Sequence, residues 1–160
     1  MRITLSATHS RLAEPTDVDL LGLKPPAGVR LSRHQVETYR ALTKSQPVEI
    51  VFNTALTGDG KSLAGMLPSL RESGFPKTLA MYPTKELIKD QEQHLLGVKK
   101  KWGRDLYVQP LDADLLGELQ ARHDLARGVA LSNEFRNKDI VLTNPDIFHY
   151  VMQACYTRGG

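Results

Sequence analysis

The stretch Ala55-Leu56-Thr57-Gly58-Asp59-Gly60-Lys61-Ser62 gathers the residue types that hold a polyphosphate. Gly58 and Gly60 can take backbone conformations that point successive amides at one centre, forming a nest for phosphate oxygens. Lys61 has the charge and reach for the β and γ phosphates, and the Ser62 hydroxyl can ligate the magnesium ion that accompanies them. Lys61 and Ser62 are therefore the candidate catalytic pair, with Ser62 also the candidate metal ligand. Thr57, Gly58, Asp59 and Gly60 complete the candidate ATP-binding loop. An anion held this way is further favoured by the dipole of the helix behind the loop.

Such a loop works only between a strand and a helix, and the flanking sequence reads as both. Val48 to Asn53 is a short β-branched and aromatic run after Pro47, predicted as a buried strand. From Ser62 to Arg71, Leu63, Met66, Leu67 and Leu70 recur at helical spacing. Upstream, Arg2 to Ala7 alternates like a strand, and Glu14 to Val29 reads as loop with one turn of helix. Ser32 is placed to cap a helix reaching Thr43. Downstream, Thr78 to Tyr82 reads as a buried strand, and Thr84 caps a helix to Trp102 with Leu87, Ile88, Leu95 and Leu96 on its apolar side. Asp105 to Pro110 is a third strand, Asp114 to His123 a helix, and Asp139 to Leu142 a fourth strand. Asn144-Pro145 then opens a helix over Asp146 to Cys155. Strands alternating with helices predict an α/β fold with a mainly parallel sheet covered on both faces.

At 160 residues, with 41% hydrophobic and 24% charged residues, the chain has the composition of one globular domain with a real core. No apolar run is long enough to cross a membrane, and Met1 to Leu5 lacks the features of a signal peptide, so a cytoplasmic location and no membrane partner are expected. The single cysteine, Cys155, excludes a disulfide framework and a cysteine-built zinc site. A net charge of +3 is compatible with a nucleic-acid surface and too small to argue for one.

The order of signals is informative. Arg33-His34-Gln35 begins a helix ahead of the phosphate loop, Tyr82-Pro83-Thr84-Lys85-Glu86-Leu87 ends the next strand, and Leu142-Thr143-Asn144-Pro145-Asp146 ends the last. Over about residues 30 to 155 this resembles the first RecA-like lobe of a superfamily 2 helicase, in which alanine also stands at the place of Ala55. More narrowly it is similar to the helicase subunit of type I CRISPR systems. The resemblance implies a three-layer RecA-like P-loop NTPase lobe over residues 30–160, incomplete at its C-terminal end, with 1–29 as a strand and loop lead-in. It implies Gln35 as a glutamine that pairs with adenine, and Pro83, Thr84, Lys85, Thr143 and Asn144 as contacts to a nucleic-acid backbone.

The same resemblance implies an ATP- and magnesium-dependent translocase on single-stranded DNA in antiviral interference, partnered by an RNA-guided CRISPR effector complex. The chain contains no Asp-Glu dipeptide, so the acidic box and second lobe that complete hydrolysis are expected beyond Gly160. No His-Asp nuclease signature precedes Gln35, as in a type I-D-like branch whose nuclease sits on another subunit. A generic DEAD-box-like RNA or repair helicase lobe, and a non-catalytic docking fragment, are the alternatives. Other residues carry plainer readings. The five histidines show no metal-ligand spacing, Asp112 and Asp114 start a helix, Trp102 is a core anchor, and Lys99 to Lys101 form a solvated helix end.

Overall fold

The computed structural model describes residues 10–44, 50–70, 77–103, 105–123 and 136–156. The expected strand at 2–7 lies outside them, as do residues 48 and 49 of the strand before the loop. The chain divides into two compact units, Met1–Arg71 and Glu72–Gly160.

In the first unit, Pro15 at the first position of α1 (Pro15–Leu20) gives a single short helix, as its fixed φ favours. Helix α2 (Arg33–Leu42) starts at Ser32 and turns Val36 and Tyr39 inward. The lead-in is bound to it: Ala13 N–H donates to the Leu31 carbonyl at 2.9 Å, and Arg33 N–H donates to that of Arg11 at 2.7 Å. Helix α3 (Lys61–Met66) is shorter than its apolar periodicity predicts and continues as a 3₁₀ turn, Leu67–Leu70. Pro68 explains the change, since it lacks the N–H that an α-helical turn would require. Both segments pack on α2, burying Ala64, Met66, Leu67 and Leu70.

The expected strand ahead of the phosphate loop is corrected by the structure. Exposure alternates along residues 50–56, yet among the described residues they join no ladder. Ile50 is 78% exposed and Phe52 85%. A strand buries its apolar side chains only when a sheet and its covering layer are built around it, and no such ladder forms in the described part of this unit.

In the second unit, β1 (Thr78–Met81), β2 (Val108–Pro110) and β3 (Ile140–Thr143) form a parallel sheet in the order β1-β3-β2. Met81 is in register with Thr143, and Pro110 with Leu142. Connections are made by α4 (Lys85–Trp102) and α5 (Ala113–His123), and α6 (Pro145–Tyr156) follows β3. All four residues of β3 are buried, so the central strand reads as an unbroken apolar run. Val141 packs with Leu111, Leu116 and Ile147 under α5 and α6. Ile140 and Leu142 lie on the opposite face by the two-residue period, and α4 packs across β2 and β3.

Strand β1, expected to be buried, is an edge strand whose exposure alternates, with Leu79 and Met81 on its open face. Helix α4 buries Ile88, Leu95 and Val98, whereas Leu87 and Leu96, expected inside, face outward. It ends at Gly103 with φ 60°, a conformation that favours glycine. Lys99 is less solvated than its run suggests, donating to the Leu106 carbonyl and pairing with Asp105, both at 3.0 Å.

Candidate functional site

The phosphate loop is built by its own backbone. Gly58 has φ 88° and Gly60 φ 76°, both left-handed, which bends the chain between residues 50–56 and α3. Asp59 N–H donates to the Leu56 carbonyl at 3.2 Å, and the Asp59 carboxylate accepts from Leu56 N–H at 3.1 Å and the Ser10 hydroxyl at 2.5 Å. Asp59 thus ties the loop to itself and, through Ser10, to the lead-in. The first intrahelical bond of α3 runs from Ala64 N–H to the Gly60 carbonyl at 3.0 Å, leaving the amides of Lys61, Ser62 and Leu63 ahead of the helical ladder. Lys61 is exposed and donates to the Ala55 carbonyl at 2.7 Å, lying back across the loop. Thr57 and Gly58 are exposed and Ser62 is half-buried.

Helix α2 braces this loop from behind. Gln35, only 6% exposed, accepts from Ser32 N–H at 2.9 Å and donates to the Gly60 carbonyl at 3.2 Å. Both ends of its carboxamide are therefore engaged within the protein. A Cβ on Gly60 would stand 2.5 Å from Gln35 Nε2, so the close approach also requires glycine. The Ser32 hydroxyl oxygen is buried without a hydrogen-bond partner among the described residues, so the cap at this end is made by Gln35 reaching back. His34 bonds the Asp59 carbonyl at 2.9 Å and Asn53 Nδ2 at 3.2 Å, and Asn53 also donates to the Thr38 hydroxyl at 3.1 Å.

These residues fit a polyphosphate. The loop offers backbone donors, an exposed ammonium and a hydroxyl, while its Asp59 and Gly60 carbonyls accept from side chains of α2. Among the described residues no group of three or more His, Cys, Asp or Glu gathers to hold a metal unaided. A magnesium ion accompanying the phosphates would be held by the Ser62 hydroxyl and would neutralise charge on the transferred group.

The second candidate surface is the carboxyl edge of the sheet in the second unit, where parallel register brings three strand-to-helix junctions together. Thr84 caps α4 by accepting from Leu87 N–H at 3.3 Å, Asp112 caps α5 through Leu115 N–H at 2.9 Å, and Asn144 caps α6 through Ile147 N–H at 2.9 Å. Pro83, Thr84 and Lys85 are exposed and Asn144 is half-buried. Thr143 is 1% exposed, and its hydroxyl donates to the Leu111 carbonyl at 2.9 Å. It faces the core, and its place at the edge is taken by its neighbour Asn144.

Asp112 and Asp114 matter more than their sequence suggested. Lys85 donates to Asp114 at 2.9 Å, with Asp112 at 3.9 Å. The Lys85 ammonium is held above its ordinary pKa, first by the hydrogen bond to Asp114 and then by its charge. Glu86 is held below the usual carboxylate range by its own backbone N–H and the Thr84 hydroxyl. The spacing Asp-x-Asp after a predicted strand was a visible signal for a cap, but its pairing with a lysine 29 residues away was not.

A family model described as DEAD/DEAH box helicase matches residues 32–158. The chain is 27% identical over 132 residues to a Bacillus subtilis (strain 168) protein called "Uncharacterized ATP-dependent helicase YprA". That match covers 80% of this chain and 16% of the relative, so the chain spans well under a quarter of that protein's length. No solved structure matches.

Proposed function

The chain belongs to the DEAD/DEAH box helicase family, and from that premise we propose that it forms the ATP-binding part of a translocase that moves along single-stranded DNA. The observation that carries this reading is the phosphate loop: two left-handed glycines, Lys61 and Ser62, with the loop carbonyls anchored to α2. Lys61, which bonds the Ala55 carbonyl here, would pair with the β and γ phosphates, and Ser62 would hold the magnesium ion. Gln35 meets adenine only by giving up an internal bond, so base preference and loop geometry are linked through this one amide.

The sheet edge tracks the strand's backbone. Thr84, Lys85 and Asn144 offer backbone and side-chain donors to phosphates without reading bases, with Pro83, which has no N–H to give, fixing the turn beside them and Lys85 exchanging Asp114 for a phosphate. Arginine and acidic groups that complete hydrolysis are proposed to come from the parent protein outside this chain. The expected outcome for the full-length protein is ATP hydrolysis stimulated by single-stranded DNA and abolished by Lys61→Ala. Stimulation by RNA alone would move the function to an RNA helicase, and survival of hydrolysis in Lys61→Ala would end the loop assignment.

The narrower reading places the parent protein in CRISPR interference beside an RNA-guided effector and a nuclease on another subunit. Its support is the order of the motifs at Gln35, Gly58 to Ser62, Pro83 to Lys85 and Thr143 to Asp146. It predicts stronger stimulation by an effector-bound open target than by free single strands. Equal stimulation favours the generic helicase reading, with which the likeness to the Bacillus ATP-dependent helicase is compatible.

A further inference from the structure

We infer that His34 and Asn53 are positioning residues for the phosphate loop, fixing which way its peptide planes face. The inference rests on the nucleotide reading above and concerns residues that this reading leaves without a role. The network has one consistent polarity. Ala55 N–H donates to Asn53 Oδ1 at 3.1 Å, which fixes the orientation of that amide. Asn53 Nδ2 must then donate to both of its remaining partners, the Thr38 hydroxyl oxygen at 3.1 Å and His34 Nδ1 at 3.2 Å. A ring that accepts at Nδ1 is neutral and carries its proton on Nε2, and that N–H donates to the Asp59 carbonyl at 2.9 Å.

The consequence follows from peptide geometry. In a trans peptide the carbonyl and the following N–H point in opposite directions. Anchoring the Asp59 carbonyl to His34 therefore turns Gly60 N–H away from α2. The next plane is set by α3 itself, whose Ala64 N–H donates to the Gly60 carbonyl, with Gln35 adding a second donor there; Lys61 N–H therefore points outward. Glycine at 58 and 60 makes the loop free to adopt other orientations, so something outside the glycines must select one. His34 makes that selection for the Asp59–Gly60 plane, and Asn53 sets the tautomer that lets it do so. The other charged groups near the ring are already engaged: Glu37 pairs with Arg33 at 2.7 Å, and the Asp59 carboxylate bonds Leu56 N–H and Ser10.

The test is titration of the full-length protein with a fluorescent ATP analogue and magnesium, alongside thermal melting without nucleotide. His34→Ala is expected to weaken nucleotide binding about tenfold, the scale of one well-placed hydrogen bond that preorganises a charged ligand's site. His34→Gln places an amide nitrogen as many bonds out as Nε2 and is expected to stay within about threefold of the unchanged protein, on the same scale. His34→Asn reaches only the Nδ1 position and is expected to bind as weakly as His34→Ala, although both amides have similar polarity. Asn53→Ala should weaken binding, and the double variant His34→Ala/Asn53→Ala should be no weaker than the worse single, because the two act in series. The Gln and Asn variants keep the test decisive if either alanine variant fails to fold. Equal binding by His34→Gln and His34→Asn, or full additivity of the two alanine changes, would overturn the inference while Lys61→Ala still abolishes binding. If Lys61→Ala binds as the unchanged protein does, the nucleotide reading falls and this inference with it.

Discussion

Replacing Gly60 by alanine separates two physical effects that coincide at that residue, and Gly58 supplies the control. Both glycines have positive φ, so alanine at either position meets the left-handed penalty of about 1–2 kcal/mol, offset equally at both by reduced freedom of the unfolded chain. At Gly58 the new Cβ has nothing within 4 Å among the described residues. At Gly60 it would lie 2.5 Å from Gln35 Nε2. A terminal amide often swings aside at little cost, but this one is buried and bonded at both ends, to Ser32 N–H and to the Gly60 carbonyl. Displacing it forfeits those two bonds at about 1 kcal/mol each. Gly60→Ala should therefore cost about 3 kcal/mol and Gly58→Ala about 1 kcal/mol, read from urea unfolding followed by far-UV circular dichroism. In a Gln35→Ala background the excess at Gly60 should vanish. Equal costs for the two glycine variants would refute the reasoning, since only Gly60 faces the glutamine.

Asp114→Asn should raise affinity for single-stranded DNA, most at low salt, because it releases Lys85 for phosphate; fluorescence anisotropy across a salt series checks this, and unchanged affinity would show that the pair does not compete with nucleic acid. Glu86 has a depressed folded-state pKa, so the stability it gives the start of α4 is present above its ordinary value and lost as pH falls through the lower, folded one. Protection of the amides in the first turn of α4, taken relative to their intrinsic exchange rate at each pH, should fall in acid, and Glu86→Gln should remove that pH dependence. Thr143→Val should destabilise the second unit by about 1–2 kcal/mol through the lost bond to Leu111, with Thr143→Ser nearly neutral, as judged by thermal unfolding.

Much of this was legible because it is local. Thr84 and Asn144 announce helix starts through side chains that bond the amide three residues on, and the apolar run of β3 announces a core strand. The turn at Gly58 and Gly60 was readable for the same reason: both take the left-handed backbone that glycine favours. What the sequence hid depends on residues far apart along the chain. Gln35 looked free for a ligand, but its amide is bonded to a carbonyl 25 residues away. His34 appeared to be one histidine among five without metal spacing, and its role emerges only from Asn53 and Asp59. Thr143 differs from Asn144 by one position, and the two-residue period of a strand sends the threonine inward. The exposure of Ile50 and Phe52 also could not be read locally, because strand burial depends on neighbours that a short apolar run does not specify.

The central claim is that Gly58 to Ser62 is an ATP site, and equilibrium binding of magnesium ATP to the full-length protein and to its Lys61→Ala variant tests it most directly. The account predicts saturable binding that the substitution reduces by at least about a hundredfold, as expected when the charged partner of two phosphates is removed. Binding that is undiminished in Lys61→Ala would contradict it.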